Sequence, residues 1–298
     1  SVQRDMVLIQ VALEMQGPAL EKALVFVEKN PTDLEMALLA GRICRQQSKL
    51  DLSVKVLQDA IQQPTLKDLP ALKLQILIEL ARNLELAEKL TLARARLKEA
   101  AELLDLPGAF AKSPYTPQGI NLQSADIHER LAVLAQKAKE PDTAMNEFLL
   151  AAKTDPARRA RLGLPLAEVL EARGQYEAAL TRINDYLALF PKSADAFELK
   201  AQILDKAGRS AEALALWEEL HKKDPLHGNN AILFAQKLIQ AKRTQEGEAI
   251  LLAEWKELES RPAADELIKL WGADKENGAG KLLDAITYAV NVPANEKS

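Results

Sequence analysis

Aromatic residues are scarce, at 4% of 298 positions. Runs of β-branched and aromatic residues, which pack well on a pleated sheet, are correspondingly few. Cysteine is nearly absent. Cys44 is the only one, which excludes an intramolecular disulfide framework but leaves the redox compartment open. Basic charge is not in excess: 39 Lys and Arg face 43 Asp and Glu, a formal net charge of −4. Proteins that grip nucleic acid neutralise phosphates with clustered cations, so a nucleic-acid partner is not expected. No apolar run approaches the ~20 residues needed to cross a bilayer, so no membrane span is expected. The opening stretch, SVQRDMVLIQVALEMQG, reads as an amphipathic helix. It lacks the continuous apolar centre and small-residue cleavage site of a signal peptide. No feature fixes a compartment, and the cytoplasm is slightly favoured.

What is abundant is Ala and Leu, interleaved with Glu, Lys, Arg and Gln. These side chains lose little freedom in a helix, and the expectation is a nearly all-α protein. The order of residues then repeats. KAGRSAEALALWEELHKKDP (206–225) follows the pattern of ARGQYEAALTRINDYLALFP (172–191), 34 residues earlier. Ala144, Ala179, Ala213 and Gly247 step by 35, 34 and 34, and so do Ala132, Ala167, Ala201 and Ala235. Pro156, Pro191 and Pro225 keep the same period, and Gly174 and Gly208 stand 34 apart. A period of this length is the mark of a stacked repeat architecture.

Each unit reads as a helix pair, A then B. In 194–227, helix A is expected over Ala194–Ala207 and helix B over Ser210–Lys223. Gly208 ends the first, because glycine enters the left-handed region cheaply. Asp224-Pro225 ends the second. Ala201 and Ala213 mark where the paired helices approach closely.

This unit resembles the tetratricopeptide repeat. The likeness is carried by Leu131, Ala132, Ala144, Phe148, Ala151 and Pro156 in 125–158, by Leu166, Ala167, Tyr176, Ala179, Ile183 and Pro191 in 160–193, and by Ala201, Leu204, Ala213, Trp217, Leu220 and Pro225 in 194–227. Units 228–261, 34–67 and 69–107 fit more loosely, and Ser53 replaces the second small residue in 34–67. Residues 2–31 look like a shortened first unit and 263–292 like a degenerate end pair, as capping repeats tend to be. The implied fold is an α-solenoid, a right-handed superhelix of seven to eight stacked antiparallel helix pairs. Its expected organisation is repeats over 1–107, an inserted loop at 108–124, four well-formed repeats over 125–261, and a capping repeat and tail over 262–298. The insertion, GAFAKSPYTPQGINLQS, reads first as a loop wrapping a repeat junction and second as one that folds into the groove and helps gate it.

Two motif fragments resemble catalytic signatures. HERLA (128–132) opens like H-E-x-x-H, but Ala132 stands where the second metal ligand would be, and His128 reads as a packing residue. GADKENGAGKLL (272–283) ends like a phosphate-binding loop, but Lys275 and Leu282 replace the required Gly and Ser or Thr, so a turn and a helix start are the better reading. No nucleophile stands beside an evident base. No catalytic residue, metal or cofactor is expected.

The resemblance implies a non-catalytic scaffold that holds a protein or peptide against the helix A face. The family's lining positions map here to Arg42, Arg45 and Arg82 near the N-terminus, then Glu129, Gln136, Glu168 and Glu171, then Asp195, Glu198, Gln202 and Asp205, then Asn229 and Gln236. The middle three units carry seven acids against three bases on this face, which implies a partner with a basic or polar segment. Chaperone-adaptor relatives grip a C-terminal carboxylate with Lys and Asn at two fixed helix A sites. Here those pairs are Leu38/Arg42, Ile78/Arg82, Glu129/Val133, Leu164/Glu168, Glu198/Gln202 and Ile232/Gln236, so no such clamp is expected. Alternatives are the regulatory or targeting arm of a longer protein, and self-association through the apolar helix LLDAITYAV (282–290).

Overall fold

The computed structural model describes residues 2–223 and 228–291, with the side chains of Gly228 and of 288–291 left aside. Among the described residues there are sixteen α-helices, two short 3-10 turns (Pro64–Asp68 and Pro156–Arg158) and no strand. The helices alternate as A and B partners. They are α1 (Val2–Ala12) and α2 (Gln16–Lys29), α3 (Leu34–Gln46) and α4 (Leu50–Ile61), α5 (Pro70–Leu86) and α6 (Leu90–Asp105), α7 (Pro117–Lys137) and α8 (Pro141–Thr154), and α9 (Gly163–Ala172) and α10 (Tyr176–Leu189). The series continues with α11 (Ala194–Lys206) and α12 (Ser210–Lys223), α13 (Gly228–Gln240) and α14 (Thr244–Leu258), and α15 (Arg261–Ala273) and α16 (Gly278–Asn291). The expected helices at 194–207 and 210–223 are therefore found to within one residue. Asp224, Pro225 and His227 lie outside the described residues.

The chain divides into two compact units, residues 1–189 with α1–α10 and residues 190–298 with α11–α16. The division falls inside the block 125–261 that the repeat pattern joins. Within each unit the helices pack against their neighbours in sequence, as an all-α solenoid does.

The two series of small residues are where A meets B. Ala132, Ala167, Ala201, Ala235, Ala144, Ala179 and Ala213 are all buried. A Cβ on Gly247 would stand 2.7 Å from the Ala235 carbonyl oxygen, so one member of each series touches the other. In the unit 34–67 the same contact is polar. Ser53 is fully buried, and its hydroxyl donates to the Gly41 carbonyl at 2.7 Å. It also accepts from Asn83 Nδ2 of α5 at 2.6 Å, which ties two successive units together.

Seven of the eight A-to-B turns share one conformation, all but the one between α15 and α16. Glu14, Ser48, Glu88, Lys139, Gly174, Gly208 and Lys242 all have positive φ. In each case the next residue donates its N–H to the carbonyl five residues earlier, from Met15 to Gln10 through Arg243 to Leu238. This is a left-handed helix cap. Only two of the seven positions hold the glycine that tolerates it without strain.

The expected loop over 108–124 is half helix. Thr116 Oγ1 accepts from the Gly119 N–H at 3.0 Å, and Pro117 occupies the first turn, where its missing N–H costs nothing. Helix α7 therefore begins at Pro117 and runs for 21 residues. The remaining turn is anchored by Phe110, buried among Leu103, Leu104 and Ile127, with the Tyr115 ring edge-on to it at 5.8 Å.

Candidate functional site

The lining positions of helix A lie on successive turns, so they share a face of each helix. In the first unit Arg42 and Arg82 are exposed, while Arg45, Glu129 and Gln136 are half-buried. Glu168 is exposed and Glu171 is buried. In the second unit Asp195, Glu198, Gln202 and Asn229 are exposed, and Asp205 and Gln236 are half-buried.

Many of these side chains are engaged by the next A helix. Arg4 of α1 bonds Glu35 of α3. Arg45 Nε donates to Glu79 Oε1 of α5 at 2.6 Å, and Glu79 is 4% exposed. Arg130 of α7 reaches back to Glu85 of α5 at 2.7 Å. Both Glu129 oxygens accept from Arg161, and Gln136 Nε2 donates to Glu168 at 3.2 Å. In the second unit Lys237 of α13 bonds Asp205 of α11, and the Glu266 carboxyl of α15 is held below the usual range by Lys269, with Gln236 of α13 adding to the effect. The partners lie about one repeat apart, and apart from Arg161, on the turn just before α9, they sit on A helices, so these bonds bridge consecutive A helices.

The acidic middle expected of this face is therefore partly cancelled. Arg158, on the 3-10 turn before α9, bonds Glu129 at 2.8 Å, Asp126 at 3.2 Å and Asp155 at 2.9 Å. Burial works against the Arg158 charge, but hydrogen bonds to Asp155, Glu129 and Asp126 outweigh it, and its pKa is raised. Arg158 lies outside the helix A positions. The sequence signal was PARRARLG (156–163), a cationic turn next to acidic lining residues. Glu168, Asp195 and Glu198 remain as exposed acids.

The insertion also touches this face. Gln75 of α5 lies 3.5 Å from the Tyr115 hydroxyl and 3.5 Å from Arg42 Nη2. Beyond it, a cleft of about 840 Å³ is bounded by the starts of α3 and α5, by Arg4 and by residues 108–114.

The motif fragments have structural occupations. His128 Nδ1 lies 2.7 Å from Glu147 Oε2 of α8, and Ala132 is buried. The Asp274 carboxylate accepts from the N–H groups of Glu276 and Asn277, and α16 starts at Gly278, packed against the Trp271 carbonyl. Cys44 is buried, and desolvation pushes its thiol pKa up, with Lys49 a smaller opposing influence. Among the described residues no group of His, Cys, Asp and Glu is arranged to hold a metal, and no helix is long and apolar enough to cross a membrane.

Residues 167–254, under a third of the chain, match the family model described as anaphase-promoting complex, cyclosome, subunit 3. No curated protein sequence matches the chain. Solved structures do. A tetratricopeptide repeat protein from Parabacteroides merdae aligns with a TM-score of 0.54 at 15% identity, over 90% of this chain and 96% of that one. YrrB, described as a TPR protein with an unusual peptide-binding site, aligns with a TM-score of 0.52 at 14% identity, over 74% and 97%. The MamA protein aligns with a TM-score of 0.51 at 16% identity, over 64% and 92%. At these identities the likeness is one of fold.

Proposed function

This chain folds as a tetratricopeptide-repeat solenoid, and from that premise we propose that it is a non-catalytic scaffold binding a protein or peptide segment along its helix A faces. The observation that carries the reading is the state of those faces. Bonds between consecutive A helices hold their polar side chains in place, while Arg42, Arg82, Glu168, Asp195, Glu198 and Asn229 stay exposed. Side chains already held between helices lose little further entropy when a partner docks on the exposed groups beside them. The peptide-binding description of YrrB, a protein of the same fold, supports the reading by analogy.

The partner's basic or polar character rests on Glu168, Asp195 and Glu198. The test is a pull-down from native extract with the wild-type chain and with a variant carrying Glu168→Lys and Glu198→Lys. Both positions are exposed, so circular dichroism should be unchanged. The expected result is a partner captured by the wild type and lost by the variant. A partner retained equally by both would remove these residues from the binding faces.

A second reading, self-association, is favoured by Leu283 and Ile286 of α16, which are 64% and 61% exposed. Light scattering separates it: a mass above one chain that falls on Ile286→Glu supports it, and a monomer throughout rejects it.

A further inference from the structure

We propose that the helix A face of α3 and α5 binds the side-chain carboxylates of an acidic peptide segment. The proposal rests on the scaffold reading and names the ligand class for one part of the face.

The argument is an accounting of charges on that face. Gln75, Glu79 and Arg82 stand at i, i+4 and i+7 of α5 and so share one stripe of the helix. Arg42 and Arg45 are one turn apart on α3 and point into that stripe, since Arg42 reaches Gln75 and Arg45 reaches Glu79. Glu79 is the acid between them, and it is spoken for. Its Oε1 takes the 2.6 Å bond from Arg45, while Arg42 Nε stands 3.9 Å from Oε2. The neighbouring acids have their own cations: Glu35 pairs with Arg4, and Glu85 with Arg130. Arg82 has no ion pair among the described residues. Arg82 is thus exposed without an ion pair, and Arg42 is exposed on the adjacent helix with only a 3.9 Å contact to Glu79, whose other oxygen Arg45 already holds. Each presents a planar fork that fits a carboxylate with two hydrogen bonds.

The surroundings suit an extended peptide. The Tyr115 hydroxyl and the Gln75 amide offer further hydrogen-bonding groups beside Arg42. This is not a terminal-carboxylate grip, because Leu38 and Ile78 occupy the helix positions one turn before Arg42 and Arg82. The ligand groups are side-chain carboxylates, spaced to meet one arginine on each helix.

Fluorescence anisotropy tests this with labelled, C-terminally amidated peptides: a decapeptide of alternating Glu and Ser, and its Gln–Ser counterpart. The full chain is used at low salt, where exposed charge pairs are least screened. The expected result is binding of the acidic peptide at least about tenfold tighter than the amide peptide, since each charge-assisted pair contributes on the order of a factor of ten. Arg42→Gln with Arg82→Gln should remove that preference. Glu168→Lys with Glu198→Lys should leave it intact, which separates this site from the one probed by the pull-down. Equal binding of the two peptides, no binding of the acidic one, or an unchanged preference in the arginine variant would each overturn the proposal. So would equally tight binding of an oligothymidylate, which would mark a generic polyanion surface. If no partner is captured through Glu168 and Glu198 but the acidic peptide still binds through Arg42 and Arg82, the basic-partner part of the reading fails and this site stands.

Discussion

At the scale of the residue, the most informative position is Ser53. The repeat pattern asks for Ala or Gly there, and a hydroxyl looks like a loosened signature. It is instead the centre of a buried chain from Asn83 Nδ2 to Ser53 Oγ to the Gly41 carbonyl. The sequence shows the departure from pattern at Ser53. It does not show the reason, because Asn83 lies in the next unit, 30 residues on. Removing one member strands its partners, which costs ~1–3 kcal/mol. Ser53→Ala should therefore lower the urea midpoint of unfolding by that order. Adding Asn83→Leu on the Ser53→Ala background should recover part of the loss, because replacing both polar partners by apolar groups is close to neutral. Purely additive losses in the double variant would show that the chain is not a coupled unit.

At the scale of the element, the repeat owes its regularity to its turns. Gly174 and Gly208 announce left-handed caps in the sequence. The other five caps are not announced, because Glu14, Ser48, Glu88, Lys139 and Lys242 adopt the same geometry without glycine. Spacing alone reveals them, since each stands where its unit changes from A to B. The left-handed region is unfavourable for a residue with a Cβ by ~1–2 kcal/mol. Lys139→Gly should raise stability by up to about 1 kcal/mol, the strain relieved exceeding the added freedom of the unfolded chain. Gly208→Ala should lower it by a similar amount. Thermal unfolding followed by circular dichroism reads both, and a destabilised Lys139→Gly would mean that the lysine side chain holds the turn. The insertion illustrates the same limit of local reading. Two prolines and two glycines in 108–124 suggest a loop, yet Thr116-Pro117 is also a helix start, and with Gly119 donating to Thr116 the helix wins.

At the scale of the whole molecule, the fold was legible and the charge map was not. A 34-residue period and buried small positions are properties of the chain in one dimension. They identify a helix-pair solenoid without side-chain detail. The electrostatics of the helix A face depend on which residues meet across units. Arg158 and Arg161 cancel Glu129 and Asp126, and Lys237 cancels Asp205. Counting lining acids could not show that, since Arg158 and Lys237 lie outside the lining positions. Many polar side chains of this face thus bridge consecutive A helices, others such as Arg82, Asp195 and Glu198 stay exposed, and the proposed binding draws on the exposed ones.

The direct measurement is hydrogen exchange on the chain with and without a partner captured from native extract. The account predicts slowed exchange concentrated in the A helices α3, α5, α7 and α9, or α11 and α13, with their B partners little changed. Protection confined to the B helices, or to α16, would contradict it.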